Sequence, residues 1–86
     1  MLTKEAIIRN QVGLHARPAK QFAELAKRFA STILIKKGTK EVNAKSILMV
    51  LSLGAVCGDA VIITADGNDE SAAIEALIRF AESDTE

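Results

Sequence analysis

Short segments of two different periodicities alternate along this 86-residue chain, and that alternation is the strongest constraint on its fold. Segments rich in β-branched residues or alternating between polar and apolar side chains are typical of strands. Segments with apolar residues three and four apart are typical of helices. The predicted strands are 2–9, 33–37, 40–43 and 60–65, and the predicted helices are 16–29, 47–53 and a last one from Asp69 or Ser71 to Ala81.

The resulting order is β-α-β-β-α-β-α. Four short strands cannot bury both faces of a sheet under three helices unless the helices share one side. We therefore expect an α+β fold, an open-faced β-sandwich in which three helices cover one face of a four-stranded antiparallel sheet. Residues 1–86 should form one domain, because so short a chain has little room for two cores. With three Phe and neither Tyr nor Trp, the core should be aliphatic.

Composition argues against several classes of function, although a local basic patch stays possible because Lys and Arg dominate up to Lys45 and acidic residues dominate from Asp59 on. Eleven basic residues balance eleven acidic ones, which argues against a nucleic-acid binder. No apolar run approaches the roughly 20 residues of a membrane span, and no apolar signal region opens the chain. The lone Cys57 cannot form an internal disulfide, and we expect it to be a small buried or half-buried residue. These features predict a cytoplasmic protein without membrane insertion and without a metal site.

The chain's one His and one Pro lie close together, at the start of the first predicted helix. A helix start offers unpaired N–H groups to an anion, and an imidazole nitrogen is a good nucleophile toward a phosphoryl group. After His15, the first-turn N–H at Ala16 and the forked guanidinium of Arg17 can hold phosphoryl oxygens, while Pro18 favours helix initiation. The alternative is structural: a polar cap at His15, a solvated Arg17 and an ordinary Pro18 at the first helical position.

The run Gly13-Leu14-His15-Ala16-Arg17-Pro18-Ala19 resembles the active-site signature of HPr, the histidine-containing phosphocarrier family of the bacterial phosphotransferase system. The resemblance covers essentially the whole chain. It implies that Nδ1 of His15 accepts a phosphoryl group from phosphorylated enzyme I and passes it to an enzyme IIA domain. It also implies that Arg17, Pro18 and the backbone at Ala16 complete the site. Such a protein is a carrier between enzymes rather than an enzyme, needs no cofactor, and is expected to be a monomer.

Ser46 precedes the second predicted helix and suits the position of an N-cap, whose hydroxyl accepts a backbone hydrogen bond. The segment Asn43-Ala44-Lys45-Ser46-Ile47 also resembles the regulatory serine segment of HPr proteins from Gram-positive and some other bacteria. That resemblance implies phosphorylation of Ser46 by an ATP-dependent HPr kinase/phosphatase, and binding of the modified form to a transcriptional regulator.

The helix after Ser46 is apolar nearly all round, and its period assigns Val50 and Leu53 to the core. The remaining side chains predict an exposed apolar patch, of the kind that marks partner sites. The alternative is a short helix wedged deep in the core. By resemblance the patch docks on enzyme I and enzyme IIA, inside a basic rim. The expected docking residues are Ile47, Leu48 and Leu51 in the patch and Lys20, Lys27 and Arg28 in the rim.

The chain departs from common HPr patterns at Lys20, Glu24 and Met49. These departures leave open which pathway the carrier serves. It could belong to sugar uptake, or to a nitrogen-related or catabolite-control branch without a direct role in transport. A third class, a small RNA-binding module, normally places aromatic side chains on an open sheet face. Since each Phe falls in a predicted helix, that class is weakly supported.

Overall fold

The computed structural model describes residues 1–9, 13–14 and 16–83 of the chain. Its elements follow the predicted order. They are β1 (Leu2–Ile7), α1 (Ala16–Lys27), β2 (Thr32–Lys37), β3 (Lys40–Asn43), α2 (Ile47–Ser52), β4 (Ala60–Asp66) and α3 (Glu70–Ala81).

The four strands form one antiparallel sheet in the order β1-β4-β2-β3. Because side chains alternate between the faces of a strand, register decides which residues meet beneath the helices. Ile35 lies opposite Val42 on one side and Ile63 on the other, and all three are buried. On the uncovered face, the hydroxyls of Thr3 and Thr64 lie 3.2 Å apart across β1 and β4. The open-faced sandwich is therefore confirmed.

The core between sheet and helices is aliphatic, apart from one aromatic pair. Phe22 of α1 is fully buried, and its ring centre lies 6.0 Å from that of Phe80 in α3, with the rings tilted by 56°. Phe29 is half-buried against the same core. None of the three Phe is thus placed as a stacking platform on the open sheet face, so the structure offers the RNA-binding interpretation no support.

Helix α1 ends at Lys27, two residues earlier than its apolar pattern predicted. The N–H groups of Arg28 and Phe29 donate to carbonyls three residues back, which tightens and closes the last turn. The predicted end at residue 29 was wrong because the helical period does not persist through this turn. Ala30, which follows the turn, is exposed.

Asp69 fixes the turn between α1 and β2. Its carboxylate accepts hydrogen bonds from the N–H of Ala30 at 2.8 Å and the N–H of Ser31 at 3.0 Å, and also from the Ser31 hydroxyl. Asp69 occupies the N-cap position of α3, as predicted, but its side chain makes no capping bond there. These hydrogen bonds lower the pKa of the Asp69 carboxyl; the largest effect comes from the Ser31 hydroxyl and the next from the Ala30 N–H.

The Asp69 contacts predict acid sensitivity. A carboxyl with a lowered folded pKa stabilises fully above its unfolded pKa, about 3.9, and this stabilisation is lost as pH falls through the folded pKa. Asp69→Asn should therefore be less stable than the parent at pH 7, and the difference should shrink below about pH 4. Urea denaturation from pH 7 to pH 3 measures it, with Glu24→Gln as an exposed-carboxylate control. Parallel pH profiles for parent and Asp69→Asn would contradict the assignment.

Cys57 was predicted to be buried or half-buried, and that prediction was wrong. The residue is exposed, in the turn that leads through Gly58 into β4. The sulfur lies 3.8 Å from the carbonyl oxygen of Arg9, at the surface rather than in the core. A small apolar residue type did not indicate burial here, because a tight turn holds the position at the surface.

Candidate functional site

The backbone just before His15 is held firmly against the loop between α2 and β4. Leu14 is buried, and its N–H donates to the carbonyl of Ala55 at 2.9 Å. Gly13 has a φ of 70°, and a Cβ there would lie 2.6 Å from the Ala55 oxygen and 2.8 Å from the Cα of Val56. The sequence therefore needs glycine for two independent reasons, a left-handed backbone and a close approach to another chain segment.

His15 itself lies outside the described residues, and α1 begins directly after it at Ala16. Ala16 has a φ of 35°, a left-handed value that is rare for a residue with a side chain. Pro18 is buried and is the third helical residue rather than the first. Its missing N–H still costs nothing, because the first four N–H groups of a helix have no acceptor within the helix.

Arg17 lies in the first turn of α1 and is exposed. Within the described part of the chain its guanidinium forms no ion pair. First-turn N–H groups and the positive end of the helix dipole lie at the same place. The end of α1 that follows His15 therefore offers a favourable environment for an anion.

Ser46 caps α2 as predicted. Its backbone is extended, with a φ of −100°, and its hydroxyl accepts a hydrogen bond from the N–H of Met49 at 3.3 Å. The side chain of Lys45, next to it, reaches the turn that follows α1 and donates to the carbonyl of Phe29 at 2.8 Å. This contact ties the start of α2 to the end of α1.

The helix α2 is neither fully exposed nor wedged into the core. Val50 and Leu53 are buried, as the helical period predicted. Leu48 is 78% exposed and Met49 is 41% exposed. Ile47 and Leu51 were predicted to be exposed but are half-buried, and Leu51 packs against the core. The exposed apolar surface is smaller than predicted and is centred on Leu48, because α2 packs against α1 and β3.

The predicted basic rim is solvent-accessible. Lys20, Lys27 and Arg28 are all exposed on α1 or just past its end, and α1 packs against α2. Glu24 is also exposed, one helical turn from Lys20. The rim therefore carries one acidic side chain among its basic ones.

Known proteins share both the sequence pattern and the fold of this chain. A family model described as "PTS HPr component phosphorylation site" matches residues 2–83. The chain belongs to the HPr family. The HPr-like protein Crh of Halalkalibacterium halodurans is 44% identical over 84 residues, which cover 98% of this chain and 100% of the relative. The crystal structure of HPr-C-His from Thermoanaerobacter tengcongensis superimposes with a TM-score of 0.92 at 46% identity, covering 96% of this chain and 93% of that one. A crystal structure of an HPr dimer from the same organism gives a TM-score of 0.75 at 48% identity, covering 87% and 86%.

Two further findings concern the described residues. No group of three or more His, Cys, Asp or Glu side chains in the described parts of this chain could hold a metal ion. No helix within residues 1–9, 13–14 and 16–83 is long and apolar enough to cross a membrane.

Sequence reasoning missed a set of lysines that bind backbone carbonyls near the ends of the helices. The ammonium group of Lys40 donates to the carbonyl of Ser52 at 3.1 Å, and that of Lys37 donates to the carbonyl of Gly54 at 3.0 Å. Together with Lys45, they bind carbonyls that no helical N–H reaches. The sequence did show that Lys and Arg outnumber Asp and Glu before residue 46. It contains nothing, however, that pairs each lysine with a particular carbonyl.

Proposed function

We propose that this HPr-family protein is a phosphocarrier in which His15 accepts a phosphoryl group from phosphorylated enzyme I and passes it to an enzyme IIA domain of the sugar phosphotransferase system. The observation that carries the proposal is the start of α1 directly after His15, with an exposed Arg17 unpaired among the described residues. The family to which the chain belongs supports the same chemistry.

The accepting step needs only groups that the chain supplies. An imidazole nitrogen, Nδ1 by analogy with the family, attacks the phosphorus, and the new N–P bond forms as the donor's bond to phosphorus breaks. Arg17 and the first-turn N–H groups offset the charge of the transferred group. Because the guanidinium is exposed to water, it holds this charge only moderately. A reversible carrier requires that moderation, since overly strong binding of the phosphorylated state would slow the onward transfer.

The test is incubation of the chain with enzyme I and phosphoenolpyruvate, followed by intact-mass measurement and peptide mapping. We expect one phosphate per chain, labile to acid, on the peptide that contains His15. Addition of an enzyme IIA domain should then remove it. Absence of any phosphate, or an acid-stable one, would refute the proposal.

We propose that the docking surface consists of Leu48 and its half-buried neighbours Ile47 and Leu51, with Lys20 and Lys27 on the rim. An exposed leucine beside a basic rim suits a partner surface with an apolar pocket and acidic surroundings.

Leu48→Ala should raise the KM of enzyme I for this protein about tenfold, which corresponds to about 1.4 kcal/mol of lost binding. Stability should change little, because the side chain is 78% exposed and its removal opens no cavity. Steady-state phosphorylation at varied carrier concentration measures KM. Ile62→Ala is the matched control, since Ile62 is exposed on the sheet, away from α2. Equal KM values for the two variants would refute the docking assignment.

A second candidate function is catabolite control through phosphorylation of Ser46, and the 44% identity to an HPr-like Crh protein favours considering it. A phosphate on the cap of α2 would add negative charge two residues from Leu48, on the surface proposed for docking. In family members from Gram-positive bacteria, the modified serine leads to binding of a transcriptional regulator. An acid-stable, ATP-dependent phosphate on Ser46, added by HPr kinase/phosphatase, is the expected result if this function is present.

We propose that the protein acts as a monomer, because the residues proposed for phosphoryl transfer and for docking, in α1 and α2, all belong to one chain. The HPr dimer known from Thermoanaerobacter tengcongensis makes a direct measurement necessary. Sedimentation equilibrium across a hundredfold range of concentration should give the mass of one chain, 9.2 kDa.

A further inference from the structure

The loop between α2 and β4, residues 54–59, forms hydrogen bonds with two parts of the chain that precede His15. The Leu14 N–H, directly before His15, donates to the carbonyl of Ala55 at 2.9 Å. Just after β1, the Ile8 N–H donates to the carbonyl of Asp59 at 2.9 Å, and the Gly58 N–H donates to the carbonyl of Ile8 at 2.7 Å. The position of loop 54–59 therefore determines where Leu14, the neighbour of His15, is placed.

Lys37, at the end of β2, closes this loop. Its ammonium group donates to the carbonyl of Gly54 at 3.0 Å and pairs with the carboxylate of Asp59 at 3.0 Å, so one side chain joins the first and last residues of the loop. The same carboxylate oxygen accepts the Val56 N–H at 2.9 Å. The Lys37 and Asp59 side chains are 34% and 28% exposed, so solvent screens this pair less than a fully exposed one.

We infer that Lys37 and Asp59 are positioning residues for His15, acting by fixing loop 54–59 against Leu14. The inference rests on the proposed function, in which His15 is the phosphoryl acceptor. Neither residue needs to touch the phosphoryl group. Their effect is carried through the Ala55 carbonyl and the close contact between Gly13 and the backbone of residues 55 and 56.

Positioning of this kind affects transfer more than folding. The ends of the loop are held independently, by the buried Leu53 before it and by β4 pairing after it. Loss of Lys37 should therefore loosen the loop without unfolding the sheet. In-line transfer is sensitive to small displacements, and about 1 Å of misplacement can cost about a hundredfold in rate.

The experiment compares phosphorylation of His15 by enzyme I in the parent chain, Lys37→Met and Lys37→Arg. Lys37→Met keeps the length of the side chain but removes its charge and its donors. We expect its kcat to fall about tenfold with KM unchanged, and Lys37→Arg to restore most of the rate. Lys36→Met is the matched control, because it removes the same charge from the adjacent position of β2, on the opposite face.

Amide hydrogen exchange supplies a readout that does not require phosphorylation. The Leu14 N–H should exchange faster in Lys37→Met than in the parent or Lys36→Met, while core amides of β4 remain protected. Asp59→Asn replaces this test should Lys37→Met not fold. The variant keeps an oxygen that can accept the Val56 N–H and removes only the charge that pairs with Lys37. We expect Leu14 exchange to rise and the transfer rate to fall, both by less than in Lys37→Met.

The outcomes separate the inference from the proposed function. Failure of the parent chain to accept phosphate refutes the proposed function. The exchange rate of the Leu14 N–H in Lys37→Met, compared with the parent, then still decides whether Lys37 fixes loop 54–59 against Leu14. With a phosphorylated parent, the inference is overturned if Lys37→Met behaves like Lys36→Met. It is also overturned if transfer slows while Leu14 exchange is unchanged, or if KM rather than kcat is altered.

Discussion

Replacing His15 by alanine is expected to abolish phosphorylation by enzyme I and phosphoenolpyruvate. The chain has no other His, so no second imidazole can take over the accepting step. The fold should be retained, because the contacts on either side of this position come from the backbone of Gly13 and Leu14 and from the buried Pro18 and Ala19 of α1. Intact-mass measurement after incubation shows the loss directly, and far-ultraviolet circular dichroism confirms the fold.

Two variants make the interpretation of His15→Ala unambiguous. Arg17→Ala keeps the nucleophile and removes the charged donor, so it should still accept phosphate but about a hundredfold more slowly, the usual effect of losing one donor to a developing anion. Ser46→Ala should accept phosphate from enzyme I at the parent rate, since its hydroxyl caps α2 and is not the acceptor. Any acid-labile phosphate on His15→Ala would mean that the acceptor has been misassigned.

The fold was predictable from the sequence because its elements are locally consistent. Segment 33–37 has alternating β-branched residues, and the structure buries Ile33 and Ile35 in a central strand. The stripe through Phe22 and Ala26 in the first helix is likewise buried. In these segments the same residues that favour the local conformation also form the core, so pattern and packing agree.

What escaped prediction depends on contacts between residues far apart in sequence. Asp69 was one of two residues predicted to begin the last helix, but its carboxylate instead accepts hydrogen bonds from the backbone N–H groups of Ala30 and Ser31, 38 or more residues away. The bonds from Lys37 to loop 54–59 join β2 to a segment that follows another helix. Periodicity reports which face of an element is buried, and it carries no information about which polar groups meet after folding.

In the candidate site, too, some features were predictable from the sequence and others depend on contacts made only after folding. The types and order of its residues, from Gly13 to Pro18, were sufficient to predict the helix start that the structure shows, while the binding of an anion there stays a prediction. The close packing of Gly13 on Ala55 was not predictable, because it results from the way loop 54–59 meets the chain before α1. The left-handed φ of Ala16 was not predictable either, because such a value is rare for a residue with a side chain. A glycine in a sequence indicates conformational freedom, but only a structure shows a neighbouring backbone in the space of its missing side chain.

Gly13→Ala is expected to destabilise the protein by about 2–5 kcal/mol. A left-handed conformation costs a residue with a Cβ about 1–2 kcal/mol, and forcing an atom into filled space adds about 1–3 kcal/mol. The new Cβ would lie 2.6 Å from the Ala55 oxygen, so the start of α1 or loop 54–59 must shift. Because that shift displaces the residue next to His15, phosphoryl transfer should slow in the surviving folded protein. Urea denaturation and the enzyme I assay measure the two effects.

Gly38→Ala separates the two causes of this loss. Gly38 has a φ of 62°, close to the 70° of Gly13, but a Cβ there meets no heavy atom within 4 Å, and it lies in the hairpin between β2 and β3. Its alanine variant should lose only the conformational part, about 1–2 kcal/mol, and should accept phosphate normally. The difference between the two variants thus isolates the packing of Gly13 on loop 54–59. Equal losses of stability and equal transfer rates would show that this close contact constrains neither the fold nor the site, and that backbone conformation alone accounts for the glycine at position 13.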